Sequence, residues 1–136
     1  MRTCTRWLLI VAALAACGCN LPPGSTSPSD STTTATFSGS LSPQGAPVFF
    51  TFTAGAGAVA VTLTTVNPPT SSGIGLGLGT PNGTTTCALT HFTTSAVASS
   101  TAQISVDEAA GSYCVQVYDP GNLTGSLTFS LSVSHS

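Results

Sequence analysis

The residues that could do chemistry in this sequence are few. Five cysteines, two histidines and four carboxylates are present. Lysine is absent, and the two arginines, Arg2 and Arg6, stand close to the start of the chain. Nucleic-acid binding is therefore excluded, because affinity for phosphates requires several Lys or Arg contacts. The sequence gives no reason to expect a bound cofactor.

His91 and His135 are candidates for a catalytic base or a metal ligand. Each is isolated from other ligand-type residues, and no nucleophile-elbow motif accompanies them. Two cysteines with two unclustered histidines also lack the spacing of a zinc site. We therefore expect neither a metal nor catalytic activity. The alternative is a small hydrolase, which requires a concave pocket that holds His91 with a carboxylate and a hydroxyl in hydrogen-bond reach.

Residues 1–16 have the pattern of an export signal. Arg2 and Arg6 precede an apolar run, Trp7 to Ala16, that is too short to span a bilayer as a helix. The run leads into Leu14-Ala15-Ala16-Cys17, which resembles the bacterial lipobox. This resemblance implies that Cys17 is the lipidated first residue of the mature protein, and two or three acyl chains would give lasting membrane attachment. Ordinary cleavage after Ala15 or Ala16 is the alternative.

Residues 17–34 are predicted to be a disordered tether. After Cys17, Leu21 is their one large apolar residue, so the segment cannot offset its ordering entropy by burial. Gly18 stands where an aspartate would favour retention in the inner membrane, and we therefore expect an outer-membrane lipoprotein. Cys19 is either an unpaired thiol or a site of intermolecular pairing.

Cys87 and Cys114 are predicted to form a disulfide bond, because an exported protein meets an oxidising compartment. Two separate thiols are the alternative. Tyr113, Val115 and Val117 are expected to face the core, so Cys114 should point outward or toward an edge. The bridge is therefore expected on the surface of the domain.

Residues 35–136 read as one all-β domain. Apolar and polar residues alternate with a period of two, and Gly, Pro, Asn and Asp separate the alternating segments. Charged residues make up only 4% of the chain, so its solubility depends on Ser and Thr hydroxyls. The pattern predicts a jelly-roll-like β-sandwich of two antiparallel sheets with seven or eight strands. The predicted strands lie at about 36–42, 48–53, 58–65, 73–79, 85–90, 102–106, 112–118 and 126–133.

The inward faces of these strands are predicted to form the core. Full burial of an apolar side chain contributes about 1.5 to 3 kcal/mol, which is sufficient for a domain of this size. The inward set is Phe37, Leu41, Val48, Phe50, Phe52, Val59, Val61, Leu63, Ile74, Leu76, Leu78, Ile104, Val106, Tyr113, Val115, Val117, Leu127, Phe129, Leu131 and Val133.

Several short motifs follow one another in this domain. They are Gly39-Ser40-Leu41-Ser42, Val48 to Phe52, Ala58 to Leu63, Gly75 to Leu78 with the turn Thr80 to Gly83, Ala110 to Val117, and Gly125 to Val133. In this order they resemble the bacterial pre-peptidase C-terminal domain, a β-sandwich of secreted proteases and other exported proteins. Some members bind calcium through acidic residues before the second strand and before the glycine-rich strand. Here those places hold Gln44 to Ala46 and Thr70 to Ser72, which lack the carboxylates that Ca²⁺ requires, so a calcium-binding module ranks behind the other interpretations.

The run Gly73 to Gly79 places its apolar residues on one face and leaves the other face without side chains. In one interpretation an aromatic residue on an adjacent strand, such as Tyr118, Phe49 or Phe92, covers the glycines. In the other, the face is a shallow groove for a sugar ring or an extended peptide. That candidate ligand face consists of Gly73, Gly75, Gly77, Gly79, Tyr118 and Phe92.

We therefore predict a lipid-anchored envelope protein whose non-catalytic β-sandwich binds carbohydrate or protein at the cell surface. Two segments, Thr90 to Thr101 and Asp119 to Gly125, are expected to be exposed loops that contribute to binding. The alternative is a structural envelope subunit that self-associates weakly through its sheet edges. Natural edges are commonly guarded by lysine, and this sequence has none.

Overall fold

The computed structural model describes residues 31–136, which form two antiparallel sheets of four strands each. The predicted all-β sandwich is thereby confirmed. Within residues 31–136 there is no helix long and apolar enough to cross a membrane. The predicted export signal, Cys17, Cys19 and most of the predicted tether lie outside the described residues. The strands are β1 (Thr33–Leu41), β2 (Val48–Ala54), β3 (Gly57–Asn67), β4 (Ile74–Asn82), β5 (Thr86–Ala96), β6 (Ile104–Glu108), β7 (Gly111–Tyr118) and β8 (Leu127–His135).

The first sheet has the strand order β1-β8-β3-β6, and the second has the order β2-β7-β4-β5. Each strand of the first half of the chain pairs with one of the second half in reverse order: β1 with β8, β2 with β7, β3 with β6 and β4 with β5. The chain is thus a long antiparallel ribbon that wraps around the core. This is the topology of an eight-stranded jelly roll.

The core lies between the two sheets. All of the predicted inward residues are either buried or, in the case of five of them, packed half-buried against the buried cluster. Val66 is also buried although the alternation of Val59, Val61 and Leu63 does not reach it. A register shift between Leu63 and Thr65 adds one residue to β3, so the inward face resumes one position later. The five half-buried residues are Phe37, Val48, Phe50, Phe52 and Val106.

Strand β5 is longer than the sequence predicts. The prediction of a loop from Thr90 to Thr101 is wrong for residues 90–96, which belong to this strand. Leu78 pairs with His91 and Gly79 pairs with Leu89, so Thr90 is an extra residue in β5. A second register shift follows before Ala96. Such β-bulges interrupt the period of two without ending the strand. The alternation of apolar and polar residues therefore breaks off near Thr90 although the strand continues.

Asp119 joins two loops at one end of the sandwich. Its Oδ1 accepts hydrogen bonds from the backbone N–H groups of Gly121, Asn122 and Leu123, at 2.8, 2.8 and 3.1 Å. Its Oδ2 accepts one from Gln44 N–H at 2.9 Å. The hydrogen bond from Gln44, reinforced by those from the turn, lowers the pKa of the Asp119 carboxyl below its ordinary value.

Substitution Asp119→Ala is expected to lower the melting temperature at neutral pH. A carboxylate with a lowered folded-state pKa stabilises the fold fully above its unfolded-state pKa of about 4, and this stabilisation is lost as the pH falls through the folded-state value. The difference in melting temperature between wild type and Asp119→Ala should therefore shrink in acid. Thermal unfolding across acidic pH measures this. The matched control is Asp107→Ala, which removes an exposed carboxylate on β6. Wild-type and Asp119→Ala curves that stay parallel into strong acid would contradict the assignment.

Candidate functional site

The predicted ligand face is the outward surface of the second sheet. Residues directly opposite each other in antiparallel strands project to the same face. Gly75 lies opposite Tyr118, and Gly77 lies opposite both Gln116 and Phe92. The structure therefore brings Tyr118 and Phe92 to the side of the glycines that faces away from the core. We call this surface the glycine face.

Tyr118 and Leu89 cover the glycines of this face. A Cβ on Gly75 would lie 2.4 Å from the ring of Tyr118, and a Cβ on Gly77 would lie 2.6 Å from Cδ1 of Leu89. Tyr118 was among the aromatic residues expected to do this, whereas Leu89 was not anticipated. Its place on the outward face follows from the bulge at Thr90, which the alternation did not reveal.

Phe92 does not cover the glycines, because the atoms nearest to a Cβ at each of them belong to other residues. The Phe92 side chain is 63% exposed. It projects beside Gly77, at the edge of the area that Tyr118 and Leu89 occupy. Gly73, the remaining predicted member, precedes β4 and lies against the backbone of Ser95. The glycine face is thus a closely packed platform with one projecting aromatic ring.

The glycine face carries no charge. None of the strands β2, β7, β4 and β5 contains a carboxylate, a lysine or an arginine. Within residues 31–136 the carboxylates are Asp107 and Glu108 on β6, in the other sheet, and Asp119 in the loop after β7. Aromatic, aliphatic, hydroxyl and amide groups alone are presented to a ligand, so the face suits an uncharged one.

Cys87 and Cys114 form the predicted disulfide bond, with their Cα atoms 5.9 Å apart. Cys114 points away from the core, as expected from its neighbours. The expectation that the bridge lies open on the surface is wrong for Cys114, which is fully buried. The bridge joins β7 to β5 although β4 lies between them in the sheet.

Gly79 makes this bridge sterically possible. A Cβ at Gly79 would lie 1.9 Å from the carbonyl oxygen of Ala88 and 2.8 Å from Cα of Leu89. The backbone of β5 therefore passes directly over Gly79, and this passage carries Cys87 towards Cys114. A side chain at position 79 would occupy the space of that backbone.

His91 lies on the opposite side of β5 from Phe92. It pairs with the core residue Leu78 and lies at the lateral opening between the sheets. Its side chain is 44% exposed there, and its Nε2 is 3.5 Å from Oε1 of Glu108 on β6. An open cleft of about 420 Å³ lies between these two edge strands, and it is lined by Thr90, His91 and Phe92 of β5 and by residues 103–106. Burial, together with the nearby Glu108 carboxylate, raises the pKa of Tyr113, whose hydroxyl donates to the carbonyl of Ala109 at 2.6 Å.

His91 lines the cleft and Glu108 lies beside His91, so two of the groups that the hydrolase alternative requires are close together. The Thr90 hydroxyl at the cleft donates to the carbonyl of Leu78 at 3.3 Å rather than to His91. The amide of Gln103 bonds to Leu63 N–H and to the carbonyl of Val97, which fixes the loop after β5. These bonds join neighbouring segments of the cleft wall to one another.

His135 lies in a different environment from His91. It is buried in β8 and packs against Phe52, with ring centroids 5.3 Å apart. In the part of the chain that the structure describes, no three His, Cys, Asp or Glu side chains come together as a metal site.

Comparison with protein-family models gave no match, and comparison with curated proteins gave none. The resemblance to the pre-peptidase C-terminal domain, like the lipobox, therefore remains a prediction from the sequence.

Proposed function

We propose that this protein is a lipid-anchored envelope protein whose jelly roll binds neutral carbohydrate through the glycine face, without catalysis. The lipobox resemblance at Cys17 supports the anchor, and the intact mass of the mature N-terminus tests it. The observation that carries the binding proposal is the exposed ring of Phe92 beside an uncharged platform.

A sugar ring matches this surface in two respects. Its apolar C–H face packs on an aromatic ring, while its hydroxyl groups require polar partners at the rim. Phe92 on β5 and Tyr118 on β7 provide aromatic surface. Gln116, two residues before Tyr118 and across Gly77 from Phe92, has donor and acceptor groups. Sugars with negative charge would find no lysine or arginine on these strands.

Carbohydrate fits better than an extended peptide added to the edge of β5. A peptide that adds a strand needs a regular, unpaired edge for its main-chain hydrogen bonds. The two register shifts of β5 interrupt that edge at Thr90 and again before Ala96. Recognition through the side chains of the glycine face does not depend on the edge.

Substitution Phe92→Ala is expected to weaken binding to a neutral glycan at least about tenfold, a loss of roughly 1.4 kcal/mol. The reason is that the ring supplies most of the exposed aromatic contact surface, and its removal leaves the core intact. A glycan array identifies the ligand, and isothermal titration calorimetry measures the change. The matched control is Val97→Ala, which truncates another exposed apolar side chain, 43% accessible, outside the glycine face.

The proposal fails if the wild-type protein binds no neutral glycan on the array. It fails also if Phe92→Ala and Val97→Ala bind with wild-type affinity while both melt at the wild-type temperature. The melting temperature separates loss of the contact surface from loss of the fold.

A further inference from the structure

The two lateral sides of the sandwich differ in how their strand edges are protected. An unpaired edge is a template for another strand, and proteins block it with charges, bulges or short length. On one side, β5 carries two bulges, and β6 has only five residues with two carboxylates among them. On the other side lie β1 and β2, which contain no charged residue and no bulge.

Of these two edge strands, β2 has the amino-acid composition that favours pairing with another strand more strongly. Its sequence, VFFTFTA, is rich in residues of high β-propensity and contains no charge and no proline. Its register with β7 is unbroken from Val48 to Ala54, so the strand is regular along its whole length. Among the described residues, its other edge has no strand partner. Segments of this composition on a free edge are an aggregation hazard, which a fixed partner would remove.

Half-buried aromatic side chains mark the same edge. Phe50 stacks on Phe37 with ring centroids 4.9 Å apart, and Phe52 lies 6.0 Å from Tyr113. Both phenylalanines face the core, yet both remain only partly buried because no strand lies beyond β2 in its sheet. A strand added to β2 would complete their burial.

We propose that the free edge of β2 pairs with the same edge of a second copy of this chain, which makes a two-fold dimer with a continuous eight-stranded sheet. An antiparallel pair centred on Thr51 places Phe50 of each copy opposite Phe52 of the other. Cross-strand aromatic pairs of this kind stabilise a sheet, and a two-fold interface needs such a self-complementary surface. The absence of charge in β2 means that a copy meets no like charge.

This interface is independent of the carbohydrate proposal, because Phe92 lies on β5 at the far side of the same sheet. The two copies would carry their glycine faces on one continuous surface. Either proposal can fail without the other.

Sedimentation equilibrium of the full chain, in a mild detergent whose micelles are density-matched, tests the dimer. The wild type is expected to sediment with the mass of two protein chains. Thr51→Lys places two like charges on the two-fold axis, and Thr51 is exposed, so the fold should persist while the dimer weakens by at least about tenfold. Thr53→Lys, also exposed on this strand, is expected to weaken it as well.

The matched control is Thr64→Lys, which adds the same charge at an exposed position on β3 of the other sheet and should leave the dimer intact. Wild-type protein that is monomeric at its highest soluble concentration overturns the proposal. So does a dimer that both edge variants leave unchanged, since the contact would then lie elsewhere, for example in the lipid or the leader. Wild-type melting temperatures for the variants establish that the edge, and not the fold, has been changed.

Discussion

Replacement of both bridge cysteines, Cys87→Ala with Cys114→Ala, is expected to lower the free energy of unfolding by about 3 to 4 kcal/mol. The two residues are 27 positions apart, and the bond restricts the unfolded chain by closing a loop of that size. Truncation of the fully buried Cys114 removes packed atoms as well. Urea denaturation of the oxidised wild type and of the double variant measures the difference.

Reduction provides the control for this experiment. Reduced wild type should unfold between oxidised wild type and the double variant, because it loses the bond but keeps the packed sulfur atoms, whereas reductant should not affect the double variant itself. A loss below about 1 kcal/mol would show that the bond does not constrain the unfolded chain as the loop-closure argument requires.

Substitution Gly79→Ala is expected to destabilise the protein by about 1 to 3 kcal/mol or more. The added methyl group would lie 1.9 Å from the carbonyl oxygen of Ala88, which is backbone and cannot rotate away as a side chain would. Strand β5 must therefore shift, and the shift also strains the Cys87–Cys114 bridge. Urea denaturation again measures the loss.

Gly125→Ala is the matched control, because a Cβ there would have no atom within 4 Å. Its expected effect is within about 0.5 kcal/mol of wild type. The clash at position 79 should also depend on the bridge, since β5 can move away once the bridge is absent. Gly79→Ala in the Cys87→Ala/Cys114→Ala background is therefore expected to be less harmful than in wild type, which a double-mutant cycle detects. Equal losses in the two backgrounds would contradict this coupling.

The eight strands and the core could be predicted from the sequence because alternation assigns each residue to a face. Val59, Val61 and Leu63 alternate with small or polar residues and are all fully buried. The disulfide partners followed from the number of cysteines within the domain and from the expected compartment. These inferences require only local patterns.

The arrangement of the strands and the details of the site required more than local pattern. Alternation does not say which strand lies beside which, so the sequence did not place Leu89 over Gly77. The bulge at Thr90 shifts the register of β5 against β4 and so assigns Leu89, His91 and Phe92 to their faces. The burial of Cys114 has the same origin, because β5 covers that region only after the crossing over Gly79.

The position of β8 has a consequence for how the chain folds. This strand is synthesised after the other seven described strands, yet it occupies the middle of its sheet, between β1 and β3. Without it, β1 has no hydrogen-bonded neighbour, because it pairs with no other strand. The first sheet is therefore completed only after β8 is available, and β1 stays unpaired until then. Non-local pairings of this kind also make folding slow.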